Sequence, residues 1–308
     1  MAKRHFVKSA ISMILLVFFL LIFFFTTELG LHAKSTAVQQ TRQSCLWSIQ
    51  SQSNTFYLLG SLHVLRQDAY PLAAAIAKAY ADCRKIVFET DIAAMQEPAM
   101  QAKMLQLGLY PQGQNLLPNL DGHTRQLLAR KMTELGLPLE QFVRFKPWFL
   151  ALTLTTVELQ RMGFNPIYGL DLHFFNKART DAKEIGFLEP VELQLNLLGN
   201  MVKKDQNAFL NQTLKDLEVV NELAADLVKF WKAGNADGLH QLLFKSFKDY
   251  PAIHDRLLIQ RNKKWVKEIE GLMRENKNVL FVVGAGHLVG PESVVDLLKR
   301  RGYKVKQQ

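Results

Sequence analysis

Val279-Leu280-Phe281-Val282-Val283 is an unbroken apolar run closed by Gly284-Ala285-Gly286-His287, and no other stretch constrains the fold as tightly. Five consecutive apolar residues bounded by glycine read as a strand covered on both faces. Such a strand needs a sheet with helices on its two sides, which places the chain in the α/β class. A related unit stands near the other end, where the run Thr55 to Leu59 leads into Gly60-Ser61-Leu62-His63. A third apolar run, Lys85-Ile86-Val87-Phe88, ends on Glu89. If these strands lie side by side in a parallel or mixed sheet, His63, Glu89 and His287 emerge at related strand ends, where open α/β sheets bind their ligands.

The remaining pattern arranges itself around that core. Cys45 to Gln50 and Thr55 to Leu59 are separated by Ser51-Gln52-Ser53-Asn54 and read as a hairpin, with Gly60 stopping the second strand. A helix is expected from Pro71 to Asp82. From Met95 to Trp265 the pattern is mainly helical: Asp121 caps a run with Leu127, Leu128, Met132 and Leu135 at helical spacing, and Pro147 opens a helix through Met162. Glu184 to Leu188 reads as a short strand between helices, residues 205–233 as the longest helix, and Asp255 to Glu275 as another. Pro291 suits the first turn of a helix through Lys299, and Tyr303-Lys304-Val305 a terminal strand. The expected fold is therefore a mixed β-sheet core built from the N- and C-terminal segments, residues 44–308 forming one α/β domain with a largely helical central insertion.

Residues 1–33 are different material. Lys3, Arg4 and Lys8 precede Ala10 to Phe25, which is apolar apart from Ser12, and Leu31-His32-Ala33 offers a cleavage point. This order is that of a secretory signal. The apolar run is long for a signal and slightly short for a spanning helix of about 20 residues, and Leu31 fits the small-residue cleavage pattern poorly. A cleaved signal and an uncleaved membrane anchor both stand; in either case the remainder is exported, to the periplasm or beyond the cell membrane. Residues 34–43 read as a linker. The net charge is +10, of which +8 lies beyond residue 33. Without a Lys/Arg-rich tract interleaved with aromatics, nucleic acid is not expected as a partner. The two cysteines, Cys45 and Cys83, stand just before strands, so that they could meet at one sheet edge; a disulfide between them is left open.

Two neutral imidazoles and a carboxylate are a competent ligand set for a divalent metal with a position left open for water. Such a water becomes a usable nucleophile near neutral pH. Each Gly-x-x-His is weak alone, and a lone histidine after a strand is more often a hydrogen-bonded turn residue. Repetition of the unit, with Glu89 also at a strand end, strengthens the pair.

Tyr57-Leu58-Leu59-Gly60-Ser61-Leu62-His63, Val87-Phe88-Glu89 and Val282 to Gly290 together resemble the TraB/GumN family, which is related to the Tiki metalloproteases and more distantly to erythromycin esterase-like and haem-binding ChaN-like proteins. Lys146-Pro147-Trp148, Gly169-Leu170-Asp171, Arg261-Asn262 with Trp265, and Leu297-Leu298 to Val305 are similar too. The resemblance runs from Cys45 to Val305 and implies metal ligation by His63, Glu89 and His287, with manganese, cobalt or zinc as the ion. It also implies that Arg261 points into the site to steady negative charge; a salt bridge on a basic helix is the plainer reading. Glu89 could instead be the general base. Asp171 is either an acceptor orienting an imidazole or a helix cap, and His173 is structural. Pro291-Glu292-Ser293 departs from the family's acidic, glycine-containing start to this helix. The expected function is a metal-dependent hydrolase acting on peptide or protein, the alternative a non-catalytic envelope protein that binds haem, a peptide signal or a partner in the same cleft. Met95, Met100 and Met104 share a helical face, which core packing explains best.

Overall fold

A computed structural model describes residues 43–51, 54–244 and 251–308. The expected signal or anchor lies outside the described residues; among those described, no helix is long and apolar enough to cross a membrane.

Six strands form one mixed sheet: β1 Leu46–Gln50, β2 Thr55–Ser61, β3 Lys85–Phe88, β4 Glu184–Phe187, β5 Val279–Gly284 and β6 Val305–Gln307, in the order β4-β3-β5-β2-β1-β6. β1 and β2 are the expected antiparallel hairpin, and β6 closes antiparallel on β1. β2, β5, β3 and β4 all run parallel. The apolar run of β5 is central for the reason its composition suggests: every residue of it is buried, between β2 and β3. β4 is the edge, and Glu184 there pairs with Lys85 at 2.8 Å and Lys277 at 2.6 Å, charge that discourages edge-to-edge association.

The helices of seven residues or more are α1 Ala74–Asp82, α2 Pro98–Gly108, α3 Gly122–Leu135, α4 Pro147–Arg161, α5 Leu170–Thr180, α6 Val191–Gly199, α7 Lys203–Asp216, α8 Val220–Lys232, α9 Ala236–Phe244, α10 Gln260–Leu272 and α11 Val294–Arg300. Asp121 caps α3 as expected, accepting from the Thr124 amide at 2.7 Å. Met95 is buried, Met104 belongs to the main core, and Met100 packs against that core.

Four expectations are corrected. Residues 205–233 are two helices, α7 and α8, because the chain turns at Leu217–Val219 to bury both Leu217 and Val220. Gly60 does not stop β2, which runs on to Ser61; a Cβ there would stand 3.1 Å from Ala285, so glycine is what lets the two Gly-x-x-His turns touch. The last helix begins after Pro291, with Ser293 as its cap, accepting from the Asp296 amide at 3.1 Å. The cysteines do not share a sheet edge: antiparallel β1 sets Cys45 beside Gly60 at the end of β2, whereas Cys83 precedes β3 at the opposite edge with β2 and β5 between their strands, and both thiols are free and buried.

Candidate active site at the carboxyl edge of the sheet

Four parallel strands end on one edge, and each delivers a titratable residue just past its last strand position. In spatial order these are Glu189 after β4, Glu89 after β3, His287 after β5 and His63 after β2. The Leu188 and Glu189 amides donate to the Phe88 and Glu89 carbonyls at 3.0 and 2.9 Å, which carries the β3–β4 pairing forward and sets the two glutamates side by side.

Both imidazoles are held by Nδ1. His63 Nδ1 lies 2.7 Å from Asp171 Oδ2, and the other oxygen of Asp171 accepts from the Ser61 hydroxyl at 2.9 Å. Asp171 stands in the first turn of α5, and its role is that of the orienting acceptor rather than the helix cap, a position Gly169 takes. His287 Nδ1 lies 2.6 Å from Asn262 Oδ1. The Asn262 amide is itself oriented, since its nitrogen donates to the Glu292 carbonyl at 2.8 Å. An oxygen acceptor at Nδ1 requires a proton there, so each neutral ring carries its lone pair on Nε2.

Arg261 joins the group from α10, one residue past the start of that helix and directly after a π-helical turn over Asp255–Ile259. Its NH2 donates to Glu89 Oε2 at 2.7 Å, and its NH1 to the His287 Nε2 lone pair at 3.1 Å and the Leu257 carbonyl at 3.0 Å. Glu189 accepts from Nε and NH2 at 2.6 to 3.1 Å. Trp265 lies under the guanidinium at 4.7 Å and against the His287 ring at 4.2 Å. Glu89 Oε1 accepts from the Gly284 amide at 2.7 Å, tying the glutamate to the second Gly-x-x-His turn.

His63, Glu89, Arg261 and His287 are all 5% exposed or less. Burial pushes the Glu89 carboxyl above its ordinary range, against the pull of Arg261. Burial, then the Arg261 charge, holds His287 far below the usual imidazole value, so it stays neutral. His173 sits outside this group, packed on Tyr70 and Phe174. Trp148 is buried core.

The sequence profile of the TraB/PrgY/gumN family matches residues 45–307. The chain belongs to the TraB/PrgY/gumN family. Its relatives include the uncharacterized protein YbaP of Escherichia coli K12, 24% identical over 79% of this chain and 88% of YbaP. Metalloprotease TIKI1 of Danio rerio is 25% identical over 89% of this chain and 65% of that protein. Human Metalloprotease TIKI1 is 24% identical over 87% of this chain and 62% of that protein. No solved structure matches.

The metalloprotease names among the chain's relatives raise the question whether these residues suit an ion. Their chemistry does: two imidazoles oriented through Nδ1, as metal-ligating histidines are, stand beside a carboxylate, and the buried Thr90 hydroxyl next to Glu89 has no hydrogen-bond partner among the described residues. Their present spacing does not. Among the described residues no three His, Cys, Asp or Glu groups stand close enough to hold an ion, and Arg261 engages both His287 and Glu89. Sequence reasoning missed Glu189. The rule that found Glu89, an acid at the carboxyl end of a strand, applies equally to Glu189 once β4 is known to run parallel to β3.

Proposed function

We propose that this chain is an exported, divalent-metal-dependent hydrolase of peptide bonds. One observation carries the reading: at the carboxyl edge of a parallel sheet, two imidazoles are oriented through Nδ1 by Asp171 and Asn262 beside the Glu89 carboxylate. The TIKI names of several relatives support it, and the basic-then-apolar order of residues 1–33 supports export. His63, His287 and Glu89 would hold the ion, which supplies a polarised carbonyl and a more acidic bound water. The chain's own groups account for the rest. Asp171 and Asn262 fix the imidazole tautomers. Glu89, if it does not ligate the ion, would instead be the general base that takes a proton from attacking water. Arg261 steadies the oxyanion that develops on the carbonyl.

The surroundings of His63 favour acidic peptides. Three residues past it, Arg66 lines a cavity of about 510 Å³ together with Arg161, Lys229 and Lys232, over Phe164, Ala224 and Val228. The one acid in its lining, Asp68, is paired to Arg66. Leu65 and Asn165 exchange backbone hydrogen bonds, which fixes this cavity to the His63 loop.

The full chain, stripped with chelator and reloaded with manganese, cobalt or zinc, is expected to take up about one ion and to cleave peptides only when loaded. Peptides with two acidic residues beside the scissile bond are expected to show about tenfold higher kcat/KM than their Gln/Asn counterparts, the advantage fading as salt rises. Absence of stoichiometric metal together with absence of cleavage would remove the hydrolase reading; metal uptake without cleavage would favour the binding-protein alternative.

A further inference from the structure

Arg261 is a wholly interior cation, and its hydrogen bonds are unequally shared. Glu189 takes more of them than any other partner: Oε1 accepts from Nε at 2.9 Å and NH2 at 2.6 Å, and Oε2 from Nε at 3.1 Å. Glu189 is itself held from two more sides, by Trp265 Nε1 at 3.0 Å and Gln194 Nε2 at 2.9 Å. Glu89 receives one bond from the guanidinium, and His287 Nε2 receives another. Those last two acceptors are the lone pairs an ion would need. A nitrogen lone pair accepting from a guanidinium N–H cannot at the same time bind a metal, so the two cations compete for His287 Nε2 and Glu89 Oε2.

We propose that Glu189 is a positioning residue that decides this competition: it anchors the Arg261 guanidinium, which fills the cation position between Glu89 and His287 and is retained on Glu189 when a divalent ion takes its place there. This inference rests on the metal-dependent reading of the site. The physical argument is one of charge. Glu89 and Glu189 stand side by side in a buried site and require a cation between them. Arg261 supplies one permanently, because a guanidinium does not lose its proton. With Glu189 present, the guanidinium can release Glu89 and His287 and still keep a carboxylate partner. Without it, Glu89 is the only carboxylate left to Arg261, and the donors stay occupied.

The two residues should therefore act on metal affinity in opposite directions, which a merely structural role for either would not produce. Isothermal titration of the chelator-stripped full chain with manganese and zinc is expected to show about tenfold tighter binding for Arg261→Gln and about tenfold weaker binding for Glu189→Gln. Glu189→Asp, which keeps the charge, should restore most of the affinity, and the double variant should resemble Arg261→Gln. Should Arg261→Gln fail to fold, Arg261→Ala with millimolar guanidinium provides a second measurement: the added cation is expected to weaken metal binding in the variant and not in the wild type. Equal or same-direction effects of Arg261→Gln and Glu189→Gln overturn the inference while leaving the hydrolase reading intact. Opposite effects without peptide cleavage keep the inference and remove the hydrolase. Failure of every form to bind either metal removes both.

Discussion

Glu89→Gln is expected to lower kcat/KM for peptide cleavage by a hundred- to thousandfold at saturating metal, while the chain stays folded. The substitution keeps an oxygen for one of the two strong donors at this position, the Gly284 amide and Arg261 NH2, and turns an N–H₂ group toward the other. It also removes the group suited to accept a proton and one of the proposed ligands. Loss of a general base costs about 10²- to 10⁴-fold, which sets the scale. Stability should fall by only about 1 to 3 kcal/mol, less than the ~3–5 kcal/mol of a fully broken buried pair, because Arg261 keeps its bonds to Glu189. Thermal unfolding measured beside the kinetics separates the two effects. If Glu89→Gln cleaves peptides within threefold of wild type, Glu89 is neither base nor ligand, and the buried glutamate is there only to pair with Arg261.

The sheet was legible in the sequence because its strands are short apolar runs ended by glycine or an acid, and a buried parallel strand such as β5 has almost no other way to be written. The two Gly-x-x-His turns lie side by side, offset by one residue, Gly60 opposite Val283 and Ser61 opposite Gly284; the strand pattern suggested one shared site, and the family resemblance was needed to strengthen it. The groups that orient the imidazoles were harder to read. Asp171 lies 108 positions from His63, and Asn262 25 positions from His287; neither spacing is periodic, and only the resemblance to a family drew attention to these segments. Glu189 was invisible for a topological reason. A short strand inside a helical stretch carries no sign of which neighbour it pairs with, and the importance of Glu189 comes wholly from β4 lying beside β3. The break between α7 and α8 escaped because Leu217, Val219 and Val220 continue an apolar pattern through a turn that contains neither glycine nor proline.

Gly169→Ala is expected to destabilise the fold by about 3 kcal/mol, at the upper end of what a buried added methyl costs, and to weaken metal binding about tenfold. The backbone angles at Gly169, φ −63° and ψ 141°, suit any residue, so the requirement is space rather than conformation. A Cβ there would fall 2.0 Å from the His63 carbonyl oxygen and 2.6 Å from its carbon. Those are backbone atoms that cannot swing aside, unlike the end of a flexible side chain. Leu170, the next residue, donates its amide to the Leu62 carbonyl at 3.1 Å, and Asp171 follows with the carboxylate that orients His63. A methyl at 169 therefore pushes apart the His63 loop and the helix start that aligns it. For a domain of this size ~3 kcal/mol corresponds to a fall in melting temperature of roughly 6 to 12 °C. Gly271→Ala is the matched control: it lies within α10 with nothing inside 4 Å of the added carbon, and should be neutral or stabilising by up to about 1 kcal/mol. Equal melting temperatures for Gly169→Ala and wild type would mean that the His63 loop yields to the methyl without cost, and that the imidazole is not held by the close approach of these two backbones.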